Sequence, residues 1–197
     1  AAAALPANHP ALREARTVFR AAVVPPGLSP RLLVSGHNNP KLGTRIAKGP
    51  WAGLPIFHLT LEERATCPRS CHLWRECFGN AMPMARRHAH GPALERRLRA
   101  ELRALAREHP RGFAVRLHTL GDFYSLRYAA RWAAWLRTLP GLRVFGFTAH
   151  PHDSPIGRLI TRMNARWPAR CAIRPSVPAP TGAPMEATTL WGTAPPP

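Results

Sequence analysis

The sequence predicts an α/β fold, either a partial (β/α) barrel or an open parallel sheet, with a cysteine loop after the first core strand. Two observations lead to this prediction. Short apolar runs alternate along the chain with longer segments whose apolar residues recur every three or four positions, a pattern typical of βαβ units. Cysteine-rich or turn-forming segments follow three of these runs, and sites collect at the carboxyl ends of parallel strands.

The first half of the core consists of two predicted strands and one helix. An apolar run over residues 54–61 predicts the first strand, and the cysteine loop follows it. A helix over 92–109 comes next, because Pro92 suits a first helical turn and leucines recur along one face. The second strand, over 113–120, stops at Gly121-Asp122.

The second half repeats the pattern. Ser125 can cap a helix over 126–139, and a third strand over 142–148 follows a Pro-Gly pair. Ser154-Pro155 begins another helix, and residues 171–176 form a fourth, short strand. We expect Trp132, Trp135 and Trp167 to pack in the core because they sit at helical spacing.

The two ends of the chain are rich in proline, which breaks regular structure. We therefore divide the chain into an irregular arm over 1–50, a cysteine-cluster domain over 51–176 and a tail over 177–197. The arm contains a possible helix over 11–24. Its loop over 35–43 is rich in Asn, Gly and Lys, which suits either a structural turn or an anion site.

The composition bounds the function classes. The 197 residues carry a formal net charge of +18, which suggests nucleic acid or another polyanion as a partner. Of the 28 basic residues only Lys41 and Lys48 are lysine, and the arginines are spread along the chain rather than gathered in a tract. No window is apolar enough for a membrane helix and no secretory signal is evident, so we expect a cytoplasmic protein without a membrane partner.

Cys67, Cys71 and Cys77 are the candidate metal ligands, because three thiols within eleven residues can converge on one ion or cluster. Their C-x3-C-x5-C spacing permits two interpretations. Three thiolates can hold a [4Fe–4S] cluster and leave one iron open, or they can bind zinc with a fourth ligand such as His72, His58 or Cys171. The alternative without metal is a set of ordinary buried residues.

Polar residues at the ends of the second and third strands complete the candidate site. Asp122, His118 and Arg116 are the candidate catalytic residues, and Gly121, Asp122 and Thr148 are the candidate cofactor-binding residues. Arg116 and His118 would face the same side of the sheet if the strand alternation continues through both. By contrast, we expect His88 and His90 to be solvent-exposed because they follow two arginines.

Two resemblances add to this interpretation. The segments Asn39-Pro-Lys-Leu-Gly43, Leu59-Thr-Leu-Glu-Glu-Arg-Ala-Thr-Cys-Pro-Arg-Ser-Cys71, Cys77-Phe-Gly-Asn80 and Val115-Arg-Leu-His-Thr-Leu-Gly-Asp-Phe-Tyr-Ser125 resemble the phage and bacterial gene product 88 family, over about 38–176. That family implies a site but no reaction. The topology also resembles that of the radical S-adenosylmethionine enzymes, whose usual spacing is C-x3-C-x2-C.

These observations leave two main candidates for the function, beside a third in which the protein is a structural or accessory phage protein whose cysteines only stabilise a loop. The first is a metal- or iron–sulfur-binding protein, with possible radical chemistry on S-adenosylmethionine at a three-cysteine [4Fe–4S] site. The second is a zinc-stabilised, basic nucleic-acid-binding protein of mobile elements. Whether the protein is an enzyme is left open by the sequence.

Overall fold

The computed structural model describes residues 4–39, 42–178, 182 and 186–188, and within these residues an open six-stranded sheet forms the centre of the fold. The strands are β1 (Val23–Val24), β2 (Val34–Ser35), β3 (Ile56–His58), β4 (Arg87–His88), β5 (Phe113–Leu117), β6 (Leu142–Thr148), β7 (Cys171–Val177) and β8 (Ala187–Thr188). The α-helices are α1 (Pro10–Arg13), α2 (Pro92–Glu108), α3 (Leu126–Thr138) and α4 (Pro155–Arg166).

The main sheet follows the order β2-β3-β5-β6-β7-β8, and all its pairs are parallel except β2 with β3. The α/β prediction is therefore confirmed in its open-sheet form, because no strand pairing closes the described sheet into a barrel. Each of α2, α3 and α4 lies in the connection between two neighbouring parallel strands of the main sheet.

One face of the sheet packs against these helices. Phe57, Val115, Val144 and Ile173 come from four successive strands and join the helix leucines in a single core cluster. Serine caps help to set where the helices begin: Ser125 Oγ accepts a hydrogen bond from the backbone N–H of Tyr128, and Ser154 Oγ accepts one from Gly157. The predicted burial of Trp132 and Trp135 is confirmed, and Trp167 is partly buried against the same cluster.

The N-terminal arm is irregular but closely joined to the core. Leu32 and Leu33 are buried in the core cluster, and β2 extends the sheet beside β3. The predicted helix over 11–24 is wrong, because only α1 and a short 3-10 turn at Arg20–Ala22 form there. Of the tail, only a few residues are described, and β8 continues the sheet beside β7.

No helix in the described ranges is both long and apolar enough to cross a membrane.

Candidate functional site

The cysteine loop lies at the carboxyl ends of β3, β5 and β6. Past the end of β3, Leu61 donates its backbone N–H to Leu120 O at 3.0 Å, and Thr119 donates to Leu59 O at 2.8 Å. The chain after β3 and the chain after β5 therefore stay side by side up to Glu62 and Gly121. The loop that carries Cys67, Cys71 and Cys77 begins at this point.

Asp122 is the residue that joins these strand ends to the loop. Its side chain accepts hydrogen bonds from the backbone N–H of Phe123 (2.7 Å), the Thr148 hydroxyl (2.9 Å) and the backbone N–H of Ala149 (2.7 Å). Its own backbone N–H donates to Thr66 Oγ1 at 3.1 Å, directly before Cys67. Asp122 is only 3% exposed, and burial raises the pKa of its carboxyl.

This bonding holds the ends of β5 and β6 together through the side chains of Asp122 and Thr148. With three donors already directed at its two oxygens, the Asp122 carboxylate has little capacity left for a substrate. Thr148 is 2% exposed, donates to Asp122 and accepts from the backbone N–H of His150. A catalytic Asp122 and a cofactor-binding Thr148 stay predictions.

Gly121 is required by packing against the same loop. Its backbone has φ +82°, and a Cβ atom there would lie 2.5 Å from Thr66 Oγ1 and 2.7 Å from Leu61 Cβ. Both distances are shorter than any side-chain carbon tolerates. The glycine thus allows the loop to lie directly on the end of β5.

The three loop cysteines are electrostatic neighbours of one another. Burial is the largest cause that raises the pKa of each thiol, that of Cys71 to about 11. Cys71 and Cys77 further raise the pKa of Cys67, and Cys77 raises that of Cys71. The Asp122 carboxylate also raises the pKa of both Cys67 and Cys71. The metal-free loop therefore favours neutral thiols.

Backbone N–H groups partly oppose this effect. The N–H of Leu73 interacts with Cys71 and the N–H of Gly79 with Cys77, each two residues further along the chain, and both contacts lower the pKa of the thiol. N–H donors directed at sulfur are also a means by which proteins stabilise iron–sulfur clusters. The loop backbone therefore offsets part of the cost of ionising Cys71 and Cys77.

Arg64 is a buried cation inside the cysteine loop. It is 2% exposed, donates to Trp74 O at 3.0 Å and to Asn80 Oδ1 at 2.6 Å, and its charge lowers the pKa of Cys71 and Cys77. Its third nitrogen, Nη1, is buried without a hydrogen-bond partner among the described residues. A buried guanidinium N–H without a partner is costly, and a negatively charged group bound by the thiols would satisfy it.

A second buried arginine closes the far end of the loop. Arg87 forms a two-point ion pair with Glu63 at 2.7 and 3.1 Å, and both side chains are almost fully buried. The same guanidinium donates to the carbonyls of Gly79, Met82 and Ala85. Thr17 of the N-terminal arm adds a 2.6 Å hydrogen bond to Glu63, so the arm also supports the loop.

The side chains around the loop do not form a preorganised site for a single metal ion in the described ranges. No three His, Cys, Asp or Glu side chains in the described ranges converge closely enough to hold one metal ion as they stand. In an iron–sulfur cluster each thiolate binds a different iron, so the sulfurs stand further apart. The three loop thiols influence one another and Arg64 influences two of them, but a bound cluster stays a prediction.

The alternative fourth ligands lie in different places. Cys171 begins β7 opposite Val144 and is buried in the core, so it lies toward the amino ends of the strands. His58 Nδ1 is 3.0 Å from Thr119 Oγ1 on the β3–β5 side. His72, next to Cys71, has a buried Nε2 atom without a partner in the described structure.

Arg116 and His118 lie on different sides of the sheet. Arg116 alternates with the core residues Val115 and Leu117 and is paired in register with His58, on the face away from the helices. His118 instead packs on the helix side, with Nε2 3.1 Å from the Tyr128 hydroxyl and its ring edge-on to Phe123. The expectation of a shared face is wrong because β5 ends at Leu117, before the alternation reaches His118. A catalytic role of either residue stays a prediction.

Sequence reasoning missed several residues around the site. The structure buries Arg87 and His88 completely in β4, whereas His88 was expected to be exposed. His90 is exposed as expected, and its ring lies 4.9 Å from that of Tyr124. A usable signal was Glu62-Glu63-Arg64 directly before the cysteines, since three charges in a row at the end of an apolar strand are unusual.

Comparison with protein families finds one match: the model of the gene product 88 family matches residues 32–153. The matched segment includes the cysteine loop, Gly121, Asp122 and Thr148. It ends at residue 153, whereas the motifs suggested a resemblance up to about residue 176. Comparisons with curated proteins and with solved structures find no match.

Proposed function

The chain belongs to the gene product 88 family, and we propose that its cysteine loop is the seat of a [4Fe–4S] cluster bound by Cys67, Cys71 and Cys77. The observation that carries the proposal is the buried Arg64 guanidinium, whose Nη1 has no hydrogen-bond partner among the described residues and whose charge lowers the pKa of two of the thiols. A thiolate-bound cluster is negatively charged and accepts hydrogen bonds at sulfur.

The chain's own residues would hold the cluster in place and set its charge environment. Asp122 and Gly121 fix Thr66, and with it Cys67, against the ends of β5 and β6. Glu63 and Arg87 fix the backbone that follows Cys77. With three protein ligands, a bound cluster supplies one-electron chemistry and an iron site that is free to bind a substrate or cofactor.

S-adenosylmethionine is the narrower form of this proposal. The support is topological, since the cysteine loop follows the first parallel strand and lies at the carboxyl ends of β5 and β6. The bonded state of Asp122 weighs against this residue as the partner of the methionyl amine. The narrower form predicts 5′-deoxyadenosine from reduced protein and S-adenosylmethionine, measured by chromatography.

Anaerobic purification tests the cluster. We expect brown protein with near-equal iron and acid-labile sulfide, and loss of both in the Cys71→Ser and Cys77→Ser variants. The matched control is Cys171→Ala, which removes a thiol far from the loop and is expected to keep the iron. Colourless protein with stoichiometric zinc after iron supplementation, or iron retained in both serine variants, would overturn the proposal.

A second candidate function, nucleic-acid binding, is favoured by one surface. Arg96, Arg99 and Arg103 of α2 face Arg127 and Arg131 of α3 across a groove of about 450 Å³. We call this surface the arginine groove. Its one acidic residue is Glu95, which pairs with both α3 arginines at 3.3 and 3.6 Å, so the three α2 arginines stay available for phosphates.

Salt dependence tests this second candidate. We expect binding of a 20-nucleotide DNA duplex to weaken steeply with salt, and Arg99→Gln with Arg103→Gln to reduce the slope by about 2. The control is Arg162→Gln with Arg166→Gln, an equally spaced and equally exposed pair on α4. An equal decrease of the salt slope in both double variants would show that only the net charge of the protein matters. Absence of DNA binding at low salt would eliminate nucleic-acid binding as a function.

A further inference from the structure

A cavity of about 950 Å³ lies between the N-terminal arm, the end of β3 and the segment that follows the cysteine loop. Its size is in the range of pockets for cofactor-sized molecules. None of the three loop cysteines lines it, so it is separate from the proposed cluster site. Ala81 to Arg86, which lead from the cysteine loop into β4, form one wall.

The charges around the cavity have one sign. Among the described residues that line it, Arg31 and Arg86 are charged and none is an aspartate or glutamate. Both arginines are exposed, and neither forms an ion pair within the described ranges. A cavity with unpaired cations and no carboxylate attracts an anion.

Polar side chains lie deeper in the cavity. His58 and Thr119 are hydrogen-bonded to each other at 3.0 Å, and both line the wall together with Thr60 and His88. His88 is 2% exposed, and its Nδ1 atom has no hydrogen-bond partner in the part of the chain that is described. Such a buried polar atom requires a ligand or water, because leaving it unpaired is costly.

The loop that the sequence marks as a possible anion site reaches the same cavity. Ser35, His37 and Asn39 of this loop are lining residues. Apolar side chains also line the cavity: Leu32, Val34, Met82 and Met84. Methionines are flexible and adapt their shape to an apolar or planar ligand.

We propose that this cavity binds a small organic anion, with its phosphate or carboxylate group near Arg31 and Arg86 and its apolar or planar body against the methionines. The two arginines, with no carboxylate among the described lining residues, favour a negatively charged ligand. The apolar part of the wall favours an organic molecule over an inorganic ion. The inference does not depend on the cluster, because it uses none of the cysteines.

Binding of the anionic dye anilinonaphthalene sulfonate to the full chain tests the proposal. We expect one saturable site and a dissociation constant that rises about tenfold in Arg31→Gln with Arg86→Gln, which removes both cations. Val34→Trp, at an exposed position of the wall, is expected to block binding by filling space. Arg162→Gln with Arg166→Gln is the control of equal charge change, and thermal melting checks that each variant is folded.

Competition experiments define the ligand chemistry. We expect the anions phenyl phosphate or phenylacetate to displace the dye, and neutral phenol at the same concentration to leave it bound. The anion that displaces the dye at the lower concentration identifies the head group. Displacement by phenol as effective as by the anions would overturn the assignment of charge. Absence of a saturable site, or a folded Val34→Trp variant that binds normally, would overturn the site itself.

Discussion

The cysteine loop and the arginine groove use the same residue type in opposite ways. In the loop, both arginines are buried: Arg87 donates to the Glu63 carboxylate and to backbone carbonyls, and Arg64 donates to a side-chain amide and a backbone carbonyl. In the groove, Arg96, Arg99 and Arg103 are exposed and have no ion pair among the described residues. Buried, bonded arginines hold a fold together, whereas exposed, unbonded ones are free to meet a ligand.

The largest expected effect is loss of Arg87. We expect Arg87→Met to lower the free energy of unfolding by about 3 to 5 kcal/mol, because it leaves the Glu63 carboxylate buried without a cation. Urea denaturation measures the change. The matched control, Arg99→Met in the groove, is expected to shift stability by less than about 0.5 kcal/mol. Equal losses in the two variants would contradict the contrast between the regions.

Gly121→Ala should be the next most damaging change. We expect a loss of about 2 to 4 kcal/mol, since alanine at φ +82° is strained and its Cβ would collide with Thr66 and Leu61. Gly27→Ala is the control, because no atom lies within 4 Å of the added Cβ there. A Gly121→Ala variant as stable as the control would show that the loop can shift away from β5.

The buried histidines make the region around the strand ends sensitive to acid. Burial lowers the pKa of His118 to about 3 and that of His88 to about 4. The two imidazoles therefore become protonated at a lower pH in the folded protein than in the unfolded chain. The stability that depends on these neutral histidines is therefore present above their unfolded pKa of about 6.5. It is lost as the pH falls toward their pKa values in the folded protein. Between pH 7 and 5 we expect a loss of about 1 to 2 kcal/mol per histidine.

Thermal and urea unfolding across this pH range check the linkage. His118→Gln is expected to be less stable at pH 7 yet to show a shallower decline on acidification than the unmodified protein. The exposed His90→Gln should leave the decline unchanged. An identical pH slope in His118→Gln would contradict the buried, neutral state of that imidazole.

The smallest effect on stability is expected in the groove itself. Arg99→Gln with Arg103→Gln should unfold within about 0.5 kcal/mol of the unmodified protein, because both side chains are exposed and unbonded. If stability is unchanged while the salt slope of DNA binding decreases, the groove is a binding surface. A marked loss of stability would instead indicate that these arginines have structural partners in solution.

Local signals in the sequence account for the elements that were predicted well. The third strand was expected over 142–148 and β6 occupies Leu142–Thr148; Ser125 and Ser154 cap α3 and α4 as expected. Helical periodicity and caps involve residues a few positions apart, so they are readable without the fold. The two-residue strands β2 and β4 were not predicted, because two residues are too few to show an alternation.

The sequence also located the candidate site, but it did not predict the hydrogen bonds within that site. It marked three clustered thiols and Gly121-Asp122, and the structure joins them through Thr66. It could not indicate that Asp122 is occupied by three donors, that Arg64 lies within the loop or that His118 turns toward Tyr128. These facts depend on contacts between residues far apart in the chain.

The sequence by itself determined the alternation of strands and helices, the cysteine spacing and the positive charge, because each is a property of neighbouring residues or of composition. Only the tertiary structure decided how the charge is distributed. Arginines that appear evenly spread along the chain are gathered by the packing of α2 against α3 into one groove, while Arg64 and Arg87 are drawn inside to bond the cysteine loop. The physical reason is that burial demands a partner for every charge, and partners are assigned by the fold.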